Sequence, residues 1–117
     1  MNTNTKERAM VTADQVAEGK QLANQASMKF FQERLGGRDQ YACGFAWVTV
    51  HGVRSNSKQG KELAQEGFSK SYTGGLQLWN PSGLHVQNVD TLEAGAEAMA
   101  EFLRSLGLEA YAGSRLD

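Results

Sequence analysis

The sequence predicts a single α+β domain, and three observations predict it. Downstream of residue 40, β-prone runs alternate with stretches of helical periodicity: residues 41–51 (YACGFAWVTVH), a helix from near Ser55 or Ser57 to Gly67, GLQLW, LHVQNV, a helix after Asp90, and EAYAG. Between the two middle runs lies NPSG, with Pro81 and Gly83 at the second and fourth positions of a type I turn, which predicts a hairpin. Upstream, residues 12–36 read as one long amphipathic helix with its own caps. Strand, helix, strand, strand, helix, strand is the order of a split βαβ, ferredoxin-like antiparallel sheet (βαββαβ). Here it spans residues 41–117, with an added N-terminal helix.

Residues 1–11 are polar and are expected to form a flexible N-terminus, so the folded domain is placed at 12–117. Thr12 with Gln15 three positions on forms a capping box, and Gly36-Gly37 stops the helix. Val16, Ala23 and Phe30 recur every seven residues, and Ala26, Phe31 and Leu35 widen this stripe. Arg38–Gln40 turns into the first strand. In the second helix Gly60 is a weak point, costing about 1 kcal/mol relative to Ala. Asp90 and Glu93 read as the cap of the last helix, whose apolar stripe is Leu92, Ala96, Met99, Leu103 and Leu106. Gly107 and Leu108 end it, and a short strand with a polar tail follows.

Alternation gives the first strand two faces. Ala46, Val48 and Val50 are core; Phe45, Trp47, Thr49 and His51 lie opposite. If both crossover helices cover the first face, the second collects Trp47, Thr49, His51, Gln77, Trp79, His85 and Gln87. A cover is favoured for that second face, either the N-terminal helix with Phe30 and Phe31 or a second subunit, because large exposed apolar patches are rare in monomers.

The 117 residues carry a net charge of −1, which disfavours a bulk electrostatic nucleic-acid binder but leaves room for a local basic patch. Cys43 is the only cysteine, so neither a disulfide framework nor a cysteine-based metal site is expected. No apolar run approaches the roughly 18–20 residues of a membrane span, and the start of the chain lacks the apolar run of a signal peptide. A cytoplasmic location without membrane contact is expected.

Three constellations can carry function. The first is the aromatic-polar face: Trp47 and Trp79 can stack bases while His51, His85 and Gln87 bond base edges, although the RNP sequence pattern is absent. The second is VRSNSKQGK, where Arg54, Lys58 and Lys61 surround a helix start. Lys70, Ser71 and Tyr72 would join a phosphate site if the two loops lie side by side. No P-loop spacing is present. The third is the C-terminal Tyr111, Ser114, Arg115 and Asp117, where Arg115 offers a fork to a carboxylate or phosphate. An enzyme would rest on His51 or His85 as acid or base, or on Cys43 as nucleophile, with no third group fixed by a motif. No cofactor or metal is expected.

CGFAWV, YTGGLQLWNPS, NVDTLEAGAEAMAEFL and the closing SRLD, in that order, are similar to a family of small bacteriophage and prophage proteins. The resemblance covers about two-thirds of the chain and leaves out the N-terminal helix. It implies a viral context and no mechanism. The expected function is a non-enzymatic, phage-encoded binding protein acting on a host component, with a host protein as partner and the host cytoplasm as location. The alternatives are a nucleotide or single-stranded nucleic-acid binder using the aromatic face and the basic loop, and a small enzyme using His51 or His85. A homodimer is a further expectation, since the N-terminal helix can dock in cis or in trans.

Overall fold

The computed structural model describes residues 10–117. Its elements are α1 (Ala13–Leu35), β1 (Gly44–His51), α2 (Lys58–Gln65), β2 (Ser69–Lys70), β3 (Leu76–Trp79), α3 (Val89–Ser105) and β4 (Glu109–Leu116). Among the described residues the fold is α+β: three helices and one four-stranded antiparallel sheet of order β2-β3-β1-β4.

α1 begins on the expected capping box, with Thr12 Oγ1 accepting from Gln15 N and Gln15 Oε1 from Thr12 N, and ends on Gly36 in the left-handed region. Of the segment expected to be flexible, residues 1–9 lie outside the described residues. Val11 is buried, and its amide and carbonyl both bond the Gln59 side chain.

The expected hairpin across NPSG does not form a strand pair. The turn is made, with Gly83 N donating to Asn80 O, yet residues 84–88 run as a loop. Side chains capture several of the backbone groups that a ladder with β3 would need, while Gln87 O accepts from Gly44 N and Asn88 makes an isolated bridge with Cys43. Asn80 Nδ2 bonds Leu84 O, Ser82 Oγ accepts from Leu84 N, and the Asp39 carboxylate accepts from Gln87 N and Asn88 N. The hairpin forms one segment earlier, between β2 and β3, closed by Ser71 N to Gly75 O.

The cap of α3 is Asn88, two positions before the expected Asp90. Its buried Oδ1 accepts from both Thr91 N and Thr91 Oγ1, and its Nδ2 donates to Gln40 O. β4 is longer than the expected strand and incorporates Ser114 and Arg115; Asp117 N then bonds Cys43 O.

The core lies on one side of the sheet. Ala46, Val48 and Val50 of β1, Leu76 and Leu78 of β3, and Ala110 of β4 meet Leu63 of α2 and Leu92, Ala96, Met99 and Leu103 of α3. Val16 and Ala23 bring α1 into the same cluster. α1 packs along α3 and touches α2, with no substantial contact to any strand. Small residues allow the close approach. A Cβ on Gly19 would lie 3.2 Å from Met99 Cγ, and one on Gly95 would collide with Ser27 Oγ and sit 2.8 Å from Ala23 O. Ser27, fully buried, donates to Thr91 O at 2.6 Å. The buried stripe of α1 is therefore Val16, Gly19, Ala23, Ser27 and Leu35. Phe30 and Phe31 are only half-buried, with the Arg34 guanidinium 5.4 Å from the Phe30 ring centroid.

The N-terminal helix therefore does not cover the aromatic face, which removes the first of the two expected covers. Its small-residue stripe fits the helix layer closely, whereas its aromatic residues lie outside that stripe.

Candidate functional site

The sheet face opposite the helices is assembled by register. On β1 it carries Phe45, Trp47, Thr49 and His51; opposite these on β4 stand Arg115, Gly113, Tyr111 and Glu109. On β3, Trp79 pairs with Trp47 and Gln77 with Thr49. Trp47 and Trp79 are in ring contact at 4.8 Å between centroids, and Phe45 meets the edge of Trp79 at 6.2 Å. The Trp79 indole N–H donates to Gln77 Oε1 at 3.1 Å, which holds that ring in place.

Gly113 makes room for Trp47. A Cβ there would stand 2.5 Å from Trp47 Nε1, so the indole lies flat across the glycine of β4. The platform is open: Trp79 is 49% exposed, Phe45 40% and Tyr111 51%, while Trp47 is half-buried beneath its neighbours.

Cations border the rings. The Arg115 guanidinium stands 5.4 Å from the Phe45 centroid, and Arg104, anchored on Ala110 O at 2.8 Å, stands 5.7 Å from that of Tyr111. Such contacts are worth about 0.5–1 kcal/mol at exposed sites and fix where the charge sits. His51 contacts Tyr111 at 6.3 Å between centroids. Among the described residues one salt bridge occurs, Lys20 to Glu66 at 3.3 Å, so Arg104 and Arg115 are not neutralised by an ion pair.

Beyond the Phe45 end of the platform lies a cleft of about 370 Å³. Phe45 and Trp79 line it together with Ala46 and Leu92 from the core side, and Asn80, His85, Gln87 and Asp117 contribute its polar groups. His85 and Gln87 are thus not on the sheet face, as expected, but in the loop beside it, because residues 84–88 are not a strand. The Cys43 thiol also lines this cleft and is paired with Gln87 Oε1 at 3.4 Å, an amide and not a base.

Beyond the His51 end, the two basic loops do lie side by side. Arg54, Ser55 and Asn56 face Lys70, Ser71, Gly74 and Gly75 across a groove of about 620 Å³. Gly75 joins this groove to the sheet, since a Cβ there would meet Val50 O at 2.8 Å and His51 Nδ1 at 3.1 Å. The side chains of Arg54, Asn56 and Lys70 bond no other described residue. The start of α2 is occupied from within: Ser57 Oγ accepts from Gly60 N and donates to Arg54 O. Lys58 and Lys61 are exposed on α2 and do not line the groove, and Tyr72 is fully exposed on the adjacent β2–β3 loop.

Of the sequence-predicted site residues, Trp47, His51, Trp79, Tyr111 and Arg115 share one face. His85, Gln87 and Asp117 line the cleft at one end, Arg54 lines the groove at the other, and Lys58 stands apart. Phe45, Gln77, Gly113 and Arg104 were not singled out as site residues. Phe45 and Gln77 were visible by alternation, whereas Gly113 and Arg104 depend on strand register and on the α3–β4 turn. No helix among the described residues is long and apolar enough to cross a membrane. No family model matches the chain, and no curated protein or solved structure shows significant similarity to it.

Proposed function

We propose that this chain is a non-enzymatic binding protein, phage-encoded and acting on a host component, whose recognition surface is the open sheet face. The observation that carries the reading is the platform of Phe45, Trp47 and Trp79, left uncovered by the three described helices and bordered by Arg104 and Arg115. Trp and Arg are the residues most often responsible for binding energy at protein surfaces, and an exposed aromatic patch rimmed by polar groups marks an interaction site. The phage context rests on the resemblance of residues 43–48, 72–82, 88–103 and 114–117. We also read the sheet as a variant of the ferredoxin-like arrangement, supported by the central position of β1 between β3 and β4.

Affinity purification from host extract with wild-type chain and with Trp79→Ala tests the reading. Trp79 is half-exposed at the end of β3, so its loss leaves the core intact. One or more components retained by the wild type and lost by the variant are expected. Identical retention by both folded proteins would remove the sheet face from recognition.

A further inference from the structure

We infer that the component recognised by this face is single-stranded nucleic acid, which rests on the face being the recognition surface. Three features converge on one path. In the middle, Phe45, Trp47 and Trp79 offer ring surface to bases, and stacking of this kind tolerates any sequence because every base has a π-face. Phe45 to His51 covers about 20 Å of strand, at about 3.3 Å per residue, a length on which four-stranded sheets of RNA-binding modules stack two or three bases.

Along the path, cations occupy positions suited to a phosphate backbone. Arg104 and Arg115 follow the β4 side, and Arg54 and Lys70 line the groove that Gly75 joins to the His51 end. The carboxylates bordering the same path are Glu109, opposite His51, Asp117, in the cleft, and Asp39, bonded to the Gln87 amide; against Arg54, Lys70, Arg104 and Arg115 they leave a positive local balance although the whole chain carries −1. The groove alone would fit a free phosphate, and the rings alone would fit an apolar partner. Their continuity selects a ligand with regularly spaced anions and flat rings.

At the other end, the 370 Å³ cleft shares Phe45 and Trp79 with the platform, and its remaining apolar wall includes Ala46, Leu84, Val86 and Leu92. Gln87 accepts the Cys43 thiol through Oε1, so its amide donors remain for the edge of a base leaving the stack, with His85 beside it. Duplex is excluded by the same geometry, since its bases cannot reach the rings without being unpaired.

The test is titration of the intrinsic tryptophan fluorescence of the full chain with (dT)12, with a 12-base-pair duplex and with inorganic polyphosphate. Single strand should quench saturably, with affinity falling as salt rises. Trp79→Ala should weaken binding at least tenfold, measured by anisotropy of labelled (dT)12. Lys70→Gln, a solvent-exposed change outside the core, should weaken it several-fold and flatten the salt dependence. Polyphosphate should not quench, and at equal phosphate concentration it should compete only weakly, through the groove cations.

A flat titration at low salt overturns the inference, as does binding of duplex or polyphosphate equal to that of single strand and indifferent to Trp79→Ala. A host protein retained by the wild type and lost in Trp79→Ala, together with a flat titration, overturns the nucleic-acid class and leaves the face as the recognition surface. Failure of both experiments removes the face itself.

Discussion

Gly113 and Trp47 show how one residue on an edge strand sets a surface on its neighbour. The indole occupies the space that any side chain at residue 113 would need. Gly113→Ala should therefore cost about 1–3 kcal/mol, the range for forcing an extra methyl into a filled site. The cost should fall by on the order of 1 kcal/mol in a Trp47→Ala background, because the two groups compete for one volume. Chemical denaturation of the four proteins in this cycle measures both quantities. Equal costs in the two backgrounds would mean that the ring does not lie over the glycine. Trp47 itself was legible as a member of an aromatic face by alternation. That its ring rests on Gly113 was not, because the register that brings residues 47 and 113 together is a long-range property of β1 and β4.

At the scale of elements, the sequence was most legible where local chemistry decides. Thr12 with Gln15, and Gly36 after Leu35, place α1 within its observed bounds. Local rules failed where distant side chains supply the partners. Residues 84–88 alternate like a strand, yet Asn80 and Ser82 take the carbonyl and amide of Leu84, and Asp39 takes the amides of Gln87 and Asn88. Asp90 has the composition of a cap, yet Asn88 is the buried residue whose carboxamide reaches Thr91 and Gln40.

Gly60 is the sharpest case. Helix propensity alone makes Gly60→Ala favourable by about 1 kcal/mol. In the structure a Cβ there collides with the Arg54 carbonyl and stands 2.9 Å from that of Ser55. The substitution should instead destabilise the protein by about 1–3 kcal/mol, seen as a lower denaturation midpoint with unchanged slope. A raised midpoint would show that the loop before α2 does not lie against Gly60.

At the scale of the molecule, the decisive feature is which side of the sheet α1 takes. Both sides offered it an apolar surface, and the recurrence of Val16, Ala23 and Phe30 did not choose between them. The choice is made by fit. Gly19, Ala23 and Ser27 let α1 approach Gly95 and Met99 of α3 closely, and the buried Ser27 hydroxyl finds its acceptor at Thr91 O. With all three helices on one side, the aromatic platform remains exposed between the cleft at Phe45 and the basic groove beyond His51.

Acrylamide quenching of Trp79 in a Trp47→Phe background reads that exposure directly. Efficient quenching is expected, independent of protein concentration, with protection when (dT)12 is added. A blue-shifted Trp79 emission resistant to acrylamide in the ligand-free chain would contradict it, because the face would then be covered by the protein itself.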